Sequence, residues 1–237
     1  MNEAHHALVV VEDATKTFST GRLEVQALRR ISLAIHDGEL LALVGPSGGG
    51  KPALLNLVGA LDRPTSGAVR VLGRELSALG KSARAELRLR ELGFVFQAYN
   101  LVPVLTAVEN VEFVLELQGM GRTARRARAL EVLTDLGLAE LADRRPSELS
   151  GGQQQRVAVA RAIAARPKLV LADEPTANLD GTSAEQLMAL MRRLHDEHGV
   201  TFVFSTHDPR VVAHATRVVT LVDGRVLSDL EKERDAA

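Results

Sequence analysis

The sequence predicts an α/β fold: a mainly parallel sheet, preceded by an antiparallel β region and interrupted by a helical insertion. Three observations carry this. Short unbroken apolar runs at Leu40–Val44, Leu169–Ala172, Thr201–Phe204 and Val218–Val222 have the pattern of strands buried on both faces. Ahead of them Val25, Ile31, Leu33 and Ile35 fall on one face of an alternating stretch that ends at the Asp37-Gly38 turn, which reads as antiparallel strands. From Ala98 to Ala165 the signals are nearly all helical.

Within the helical stretch Thr106 and Glu109 have capping-box spacing, and Val108, Val111 and Leu115 follow on one face. The segment 121–136 carries Arg122, Arg125, Arg126 and Arg128; it reads as a solvated helix face, a basic partner-binding helix being the alternative. Further on, Thr182 with Glu185 predicts a second capping box, leading into Leu187, Leu190, Met191 and Leu194 at helical spacing. The expected division is an α/β core from 1–97 and 166–237, with a helical subdomain at 98–165.

With 46% hydrophobic and 25% charged residues in a chain of 237, the composition is that of a globular protein with enough length to bury a core. With a net charge of −1 nothing argues for a general nucleic-acid or anionic-membrane surface, and no nucleic-acid partner is expected. Absence of cysteine excludes disulfides and thiolate metal sites. Met1 to His6 has neither a basic nor a long apolar region, so no signal peptide is expected. His5 and His6 read as a frayed terminus rather than a metal pair. No apolar run is long enough to span a bilayer, so direct membrane insertion is not expected and any membrane role runs through a partner.

After Leu40–Val44 comes Gly45-Pro46-Ser47-Gly48-Gly49-Gly50-Lys51, then an apolar helix near Ala53. Strand, glycine-rich turn, lysine and helix in that order form a phosphate-binding loop. Glycines let successive N–H groups converge on phosphate oxygens, the helix N-terminus adds a favourable dipole, and Lys51 adds a full charge. The pattern then calls for Ser or Thr to bind Mg²⁺, and here Pro52 and Ala53 follow. Proline suits the first turn of a helix, so the fold tolerates it. It offers the site neither a hydroxyl nor an N–H. Hydrogen bonds to charged groups contribute roughly 1.5–3 kcal/mol each, so the two losses together weaken Mg-nucleotide binding by about a hundredfold or more.

Leu149-Ser150-Gly151-Gly152-Gln153 opens an Ala- and Val-rich helix. Taken by itself this is a second glycine-rich helix start, serving either as an anion cradle or as a plain structural turn. Leu169 to Ala172 leads into Asp173-Glu174, two adjacent carboxylates at the end of a buried strand, where α/β proteins place their ligands. Together, phosphate loop, Leu-Ser-Gly-Gly-Gln run and Asp-Glu strand resemble the ATP-binding domains of ABC transporters, from about Leu8 to Leu227. The fold this implies is a P-loop NTPase core with a parallel sheet, an N-terminal antiparallel β subdomain and an inserted helical subdomain.

The resemblance implies ATP and Mg²⁺ as ligands, with Gly45 through Ala53 around the phosphates and Phe18 stacked on adenine. Gln97, in Phe94-Val95-Phe96-Gln97, resembles the glutamine that touches Mg²⁺ and senses a transmembrane permease subunit. Asp173 resembles the metal-coordinating aspartate, Glu174 the general base, and His207 the histidine that contacts the γ-phosphate. Asn178-Leu179-Asp180 resembles the loop that crosses a dimer interface. In the family, Ser150, Gly151, Gly152 and Gln153 of one chain complete the site of the other in a head-to-tail homodimer. The segments 23–28, 61–67 and Asn100-Leu101-Val102-Pro103 resemble exporters of the lipoprotein-releasing and macrolide-efflux type, whose ATPases sit on the cytoplasmic face of the membrane, peripheral through the permease. Tyr99 to Leu105, mostly apolar, is the expected permease contact. A transport ATPase and a weakly or non-hydrolytic regulatory subunit both stay open at this point. An ABC ATPase of the DNA-repair kind would need a long heptad insertion and a basic groove, and the chain has neither.

Overall fold

The structure, a computed structural model, describes residues 7–21 and 23–232; His5 and His6 lie outside them. Strands β1 (Ala7–Thr20) and β2 (Leu23–His36) pair antiparallel. After β3 (Leu40–Val44) and α1 (Lys51–Val58) the chain returns as β4 (Ser66–Val71), which pairs with β1 and carries the short β5 (Arg74–Glu75). Next come α2 (Lys81–Glu91), β6 (Leu92–Val95), and the helices α3 (Ala107–Leu117), α4 (Arg122–Asp135) and α5 (Gly151–Ala164). Strands then alternate with helices: β7 (Leu169–Asp173), α6 (Gly181–His198), β8 (Thr201–Ser205), α7 (Pro209–His214), β9 (Arg217–Val222) and β10 (Arg225–Glu231). One sheet has the order β2-β1-β4-β5 and the other β10-β9-β3-β8-β7-β6. In the second sheet every pairing is parallel except β10 with β9.

Alternation along the central strands divides the core into two layers, because successive side chains point to opposite faces. Phe202 and Phe204 of β8, with Val170 and Ala172 of β7, face the layer built with α3, α4, α5 and α6. Val203, Leu169 and Leu171 face the layer shared with α1 and the antiparallel sheet. This burial on both faces is what the unbroken apolar runs predict.

Three expectations are corrected. Val25 is 58% exposed, while Ile31, Leu33 and Ile35 are buried. Arg30 takes a left-handed φ of 53°, and such a break inverts the in–out parity of a strand, so Leu28 turns inward in place of Val25. The Asp37-Gly38 turn is not a hairpin: it passes the chain into β3, which pairs with β8 and β9 in the other sheet. Finally, α6 is capped by Asp180, whose carboxylate accepts from the Ser183 N–H (2.9 Å) and hydroxyl (2.7 Å). Thr182 therefore caps nothing, and Glu185 lies 3.1 Å from His214. The Thr106–Glu109 capping box forms as read. The α4 arginines pair within their own neighbourhood, Arg125 with Glu116, Arg126 with Glu112 and Asp143, Arg128 with Glu131.

Asn110, on the buried side of α3, organises the loop before it. Its amide oxygen accepts from the Val102 N–H (2.7 Å), and its amide nitrogen donates to the carbonyls of Val102, Leu105 and Thr106. Asn110→Ala takes the side-chain partner from the Val102 N–H and the Leu105 carbonyl, while the Val102 and Thr106 carbonyls keep main-chain donors, and is expected to lower stability by about 2 kcal/mol, with faster amide exchange at Val102. An unfolding free energy from denaturant titration within about 0.5 kcal/mol of the parent would show the bracket to be dispensable.

Candidate functional site

The parallel strands β3, β8, β7 and β6 end along one edge, and the loops that follow them gather the chemistry. From β3 the chain turns sharply at Gly45, with φ 141°, where a Cβ would lie 1.9 Å from the Leu221 carbonyl oxygen. At Gly50, φ 102°, a Cβ would lie 2.6 Å from the Ala27 carbonyl oxygen. Only glycine fits such approaches. Further bonds fix the loop: the Gly49 N–H donates to the Pro46 carbonyl (3.1 Å), and the Gly224 N–H donates to the Gly49 carbonyl (3.1 Å). Buried Lys51 folds its amine back onto the carbonyls of Gly45 (2.6 Å) and Pro46 (3.1 Å). Among the described residues, the N–H groups of Gly48, Gly50, Lys51 and Ala53 meet no protein acceptor. These free donors around a buried ammonium make an anion cradle of the size and chemistry of a polyphosphate.

Helix α1 begins at Lys51, and the Leu54 N–H reaches the Gly50 carbonyl at 3.0 Å, so Pro52 at the second helical position breaks nothing. A divalent cation fits less well. Position 52 contributes neither oxygen nor N–H, leaving the Asp173 carboxylate and the Gln97 amide oxygen. Among the described residues no group of three His, Asp or Glu side chains is placed to hold a metal ion. The residues fit the phosphates and fall short of the cation.

Asp173 closes β7 opposite Ser205 of β8. Glu174 follows in a left-handed conformation, φ 46°, held there by its N–H donating to the Ser205 carbonyl at 2.8 Å. A non-glycine residue in that region costs of order 1–3 kcal/mol, and such outliers gather at functional sites. The Glu174 carboxylate lies 2.8 Å from Nδ1 of the exposed His207 and accepts a long bond from the Thr206 hydroxyl (3.4 Å). Glu174 and His207, read separately from the sequence, are thus brought into contact.

Gln97 is exposed after β6, and its carbonyl accepts from the Asn178 amide at 2.8 Å. Tyr99 and Asn100 both take left-handed φ values of 55° and 51°, and the guanidinium of Arg161 from α5 donates to their carbonyls. Ser150 caps α5 reciprocally with Gln153. A Cβ on Gly151 would stand 2.9 Å from the Tyr99 hydroxyl oxygen. No hydrogen bond joins Ser150–Gln153 to the phosphate loop among the described residues. Phe18 is 41% exposed, with the Lys16 amine 5.0 Å from its ring centroid.

Three residues went unassigned in the sequence. The buried Thr176 hydroxyl donates to Asp208 (2.7 Å), and Arg210 donates to the same carboxylate from its backbone (2.9 Å) and guanidinium (2.8 Å). This ties the loop after Glu174 to the residue beside His207.

A profile of the ABC transporter family matches residues 28–177. The lipoprotein-releasing system ATP-binding protein LolD of Geobacter metallireducens is 46% identical over 94% of this chain and 99% of its own. The macrolide export ATP-binding/permease protein MacB of Salmonella typhimurium is 45% identical over 97% of this chain, which spans 36% of that longer protein. Among solved structures, the dimeric ATP-binding cassette MJ0796 in a post-hydrolysis state bound to ADP and Pi superposes with a TM-score of 0.88. It is 41% identical and covers 95% of this chain and 99% of that one.

Arg210, with help from Thr176 and against the effect of burial, holds the Asp208 carboxyl down to about 2. A depressed pKa stabilises the fold above the unfolded value of roughly 3.9 and loses that contribution only as pH falls through the folded value. Asp208→Asn is therefore expected to cost about 1–2 kcal/mol at neutral pH, with the same cost at pH 5 and pH 8. Unfolding curves in which the difference fades between those two values would contradict the assignment.

Proposed function

The chain belongs to the ABC transporter ATP-binding family, and from that premise we propose that it is an ATP-binding, ATP-hydrolysing subunit that works as a head-to-tail homodimer and drives a transmembrane permease. The observation that carries the reading is Glu174, strained and in contact with His207, at the strand edge that also bears the phosphate loop. In this reading the loop N–H groups and Lys51 bind the phosphates, and Phe18 stacks on the base. Glu174 accepts a proton from the attacking water as the water oxygen bonds the terminal phosphorus and the bond from that phosphorus to the ADP oxygen breaks. His207 steadies that carboxylate and contacts the terminal phosphate. Asp173 and Gln97 are the remaining groups for Mg²⁺, which when bound offsets charge on the phosphates.

Ser150 to Gln153 have no bond to their own phosphate loop, which supports their completing the site of a second copy. Asn178 to Asp180 would then lie at that interface. The helical part, 98–165, acts as a subdomain against the 1–97 and 166–237 core. Val104, 71% exposed, within Tyr99–Leu105 supports that segment as the permease contact. No described helix is long and apolar enough to cross a membrane, so attachment would be peripheral, at the cytoplasmic face. The names of the relatives favour a lipoprotein-releasing or macrolide-export type of system.

Pro52 and Ala53 favour a second reading, a weakly or non-hydrolytic subunit that regulates its permease through nucleotide binding. Turnover of ATP with Mg²⁺ separates the two. The parent is expected to be slower than Pro52→Ser, Ala53→Thr by about ten- to a hundredfold, and Glu174→Gln to be inactive. Equal rates for parent and revertant would show the loop to be competent. A silent revertant, or an active Glu174→Gln protein, would sink the hydrolytic reading.

A further inference from the structure

The loop that cradles the phosphates owes its shape to the fold, and the group that would recognise a metal on those phosphates is missing from it. Gly45 and Gly50 are wedged against the carbonyls of Leu221 and Ala27, and the Gly49 carbonyl is bonded by Gly224. Gly48, by contrast, faces open space, with nothing within 4 Å of where its Cβ would stand. Loop shape, free N–H donors and Lys51 thus need no ligand to assemble them. At the mouth of this cradle Pro52 presents an exposed ring in place of a hydroxyl.

From this disagreement between cradle and cation we infer that the chain binds nucleoside triphosphate with nearly the same affinity whether or not a divalent metal is on it. The inference rests on the nucleotide reading above and names the form of the ligand that the site accepts. A metal ion on the triphosphate removes negative charge that Lys51 and the loop N–H groups would otherwise attract. Where a protein hydroxyl ligates the ion, that loss is more than offset; here no such bond forms. The Glu174 carboxylate, which would repel an uncompensated phosphate, is already in contact with His207 and Thr206. Only the Asp173 carboxylate and the neutral Gln97 amide oxygen remain to favour the ion, so the two opposing effects leave little net dependence on it.

The test is equilibrium dialysis of radiolabelled ATP against the full chain and against Pro52→Ser, in excess Mg²⁺ and in excess EDTA. For the parent, Kd is expected to move by less than about threefold between the two conditions, and for Pro52→Ser to weaken by about tenfold or more in EDTA, the equivalent of one charge-assisted bond. A parent that loses tenfold affinity in EDTA overturns the inference and leaves nucleotide binding intact. So does a Pro52→Ser protein as indifferent to metal as the parent, since proline would then not be the cause. A parent that retains no ATP in either condition overturns both this inference and the nucleotide reading, and Lys51→Ala, expected to bind in neither condition, gives the background against which that is judged.

Discussion

The parallel pairing of β8 with both β3 and β7 sets Leu43 and Asp173 against the same residue, Ser205. Two further main-chain bonds carry the ladder one step past the strand ends: the Thr206 N–H reaches the Leu43 carbonyl at 3.0 Å, and the Glu174 N–H reaches the Ser205 carbonyl at 2.8 Å. Everything at the edge is referred to these bonds. They hold Glu174 in its left-handed conformation, bring His207 to its carboxylate, and fix both relative to Gly45, two residues beyond Leu43. A register slip of one residue would turn every side chain of β8 to the opposite layer. The same fully buried Phe202 and Phe204 that hold the register therefore hold the geometry of the polar edge.

The phosphate loop shows the complementary constraint. Gly45, Gly49 and Gly50 are required by neighbouring backbone, which no side-chain rearrangement can relieve, so the path of the loop is insensitive to the side chains at positions 52 and 53. That is why proline at position 52 leaves α1 intact: the fixed φ of proline matches the first helical turn, and the N–H it lacks has no partner within the helix there. The cost falls wholly on binding. Folding and ligand chemistry are usually entangled at a glycine-rich loop, and in this chain one residue separates them.

Much of this was legible in the sequence because burial leaves a pattern. Strands β3, β7 and β8 announce themselves as apolar runs, since both their faces are covered; β9 does so although Val218 and Val222 are only half-buried. Strand β10 does not, because Arg225, Asp229 and Glu231 on this sheet edge interrupt its apolar residues. Val25 misled because a left-handed arginine within a strand has no compositional signature. The Thr182 assignment failed because a better capping group, the Asp180 carboxylate, stood two residues earlier with Ser183 at the right spacing. Gly45 to Lys51, Asp173-Glu174 and His207 were readable as candidates since their chemistry demands particular residue types in a particular order. The Arg161 and Asn110 brackets were not: both act on main-chain carbonyls, which every residue possesses, so no pattern marks the acceptor.

The bonds that escaped the sequence converge on one loop. Between β7 and α6, Pro175 accepts from buried Gln155 of α5 (2.8 Å), Thr176 bonds Asp208 beside His207, and Asn178 bonds the Gln97 carbonyl. Tyr99, clamped by Arg161, reaches the Asn178 carbonyl at 3.4 Å. The loop is thereby tied to the helix that Ser150 caps, to the Glu174–His207 pair, and to the exposed segment ahead of α3. Contiguity of bonds is not coupling by itself; coupling needs an element with two arrangements that both ends bias. Of these ties, the Gln155–Pro175 and Thr176–Asp208 bonds are short and buried or largely so, while the Tyr99 hydroxyl bond is long and the Asn178 bond is exposed, so the loop is held firmly at its start and loosely at Asn178.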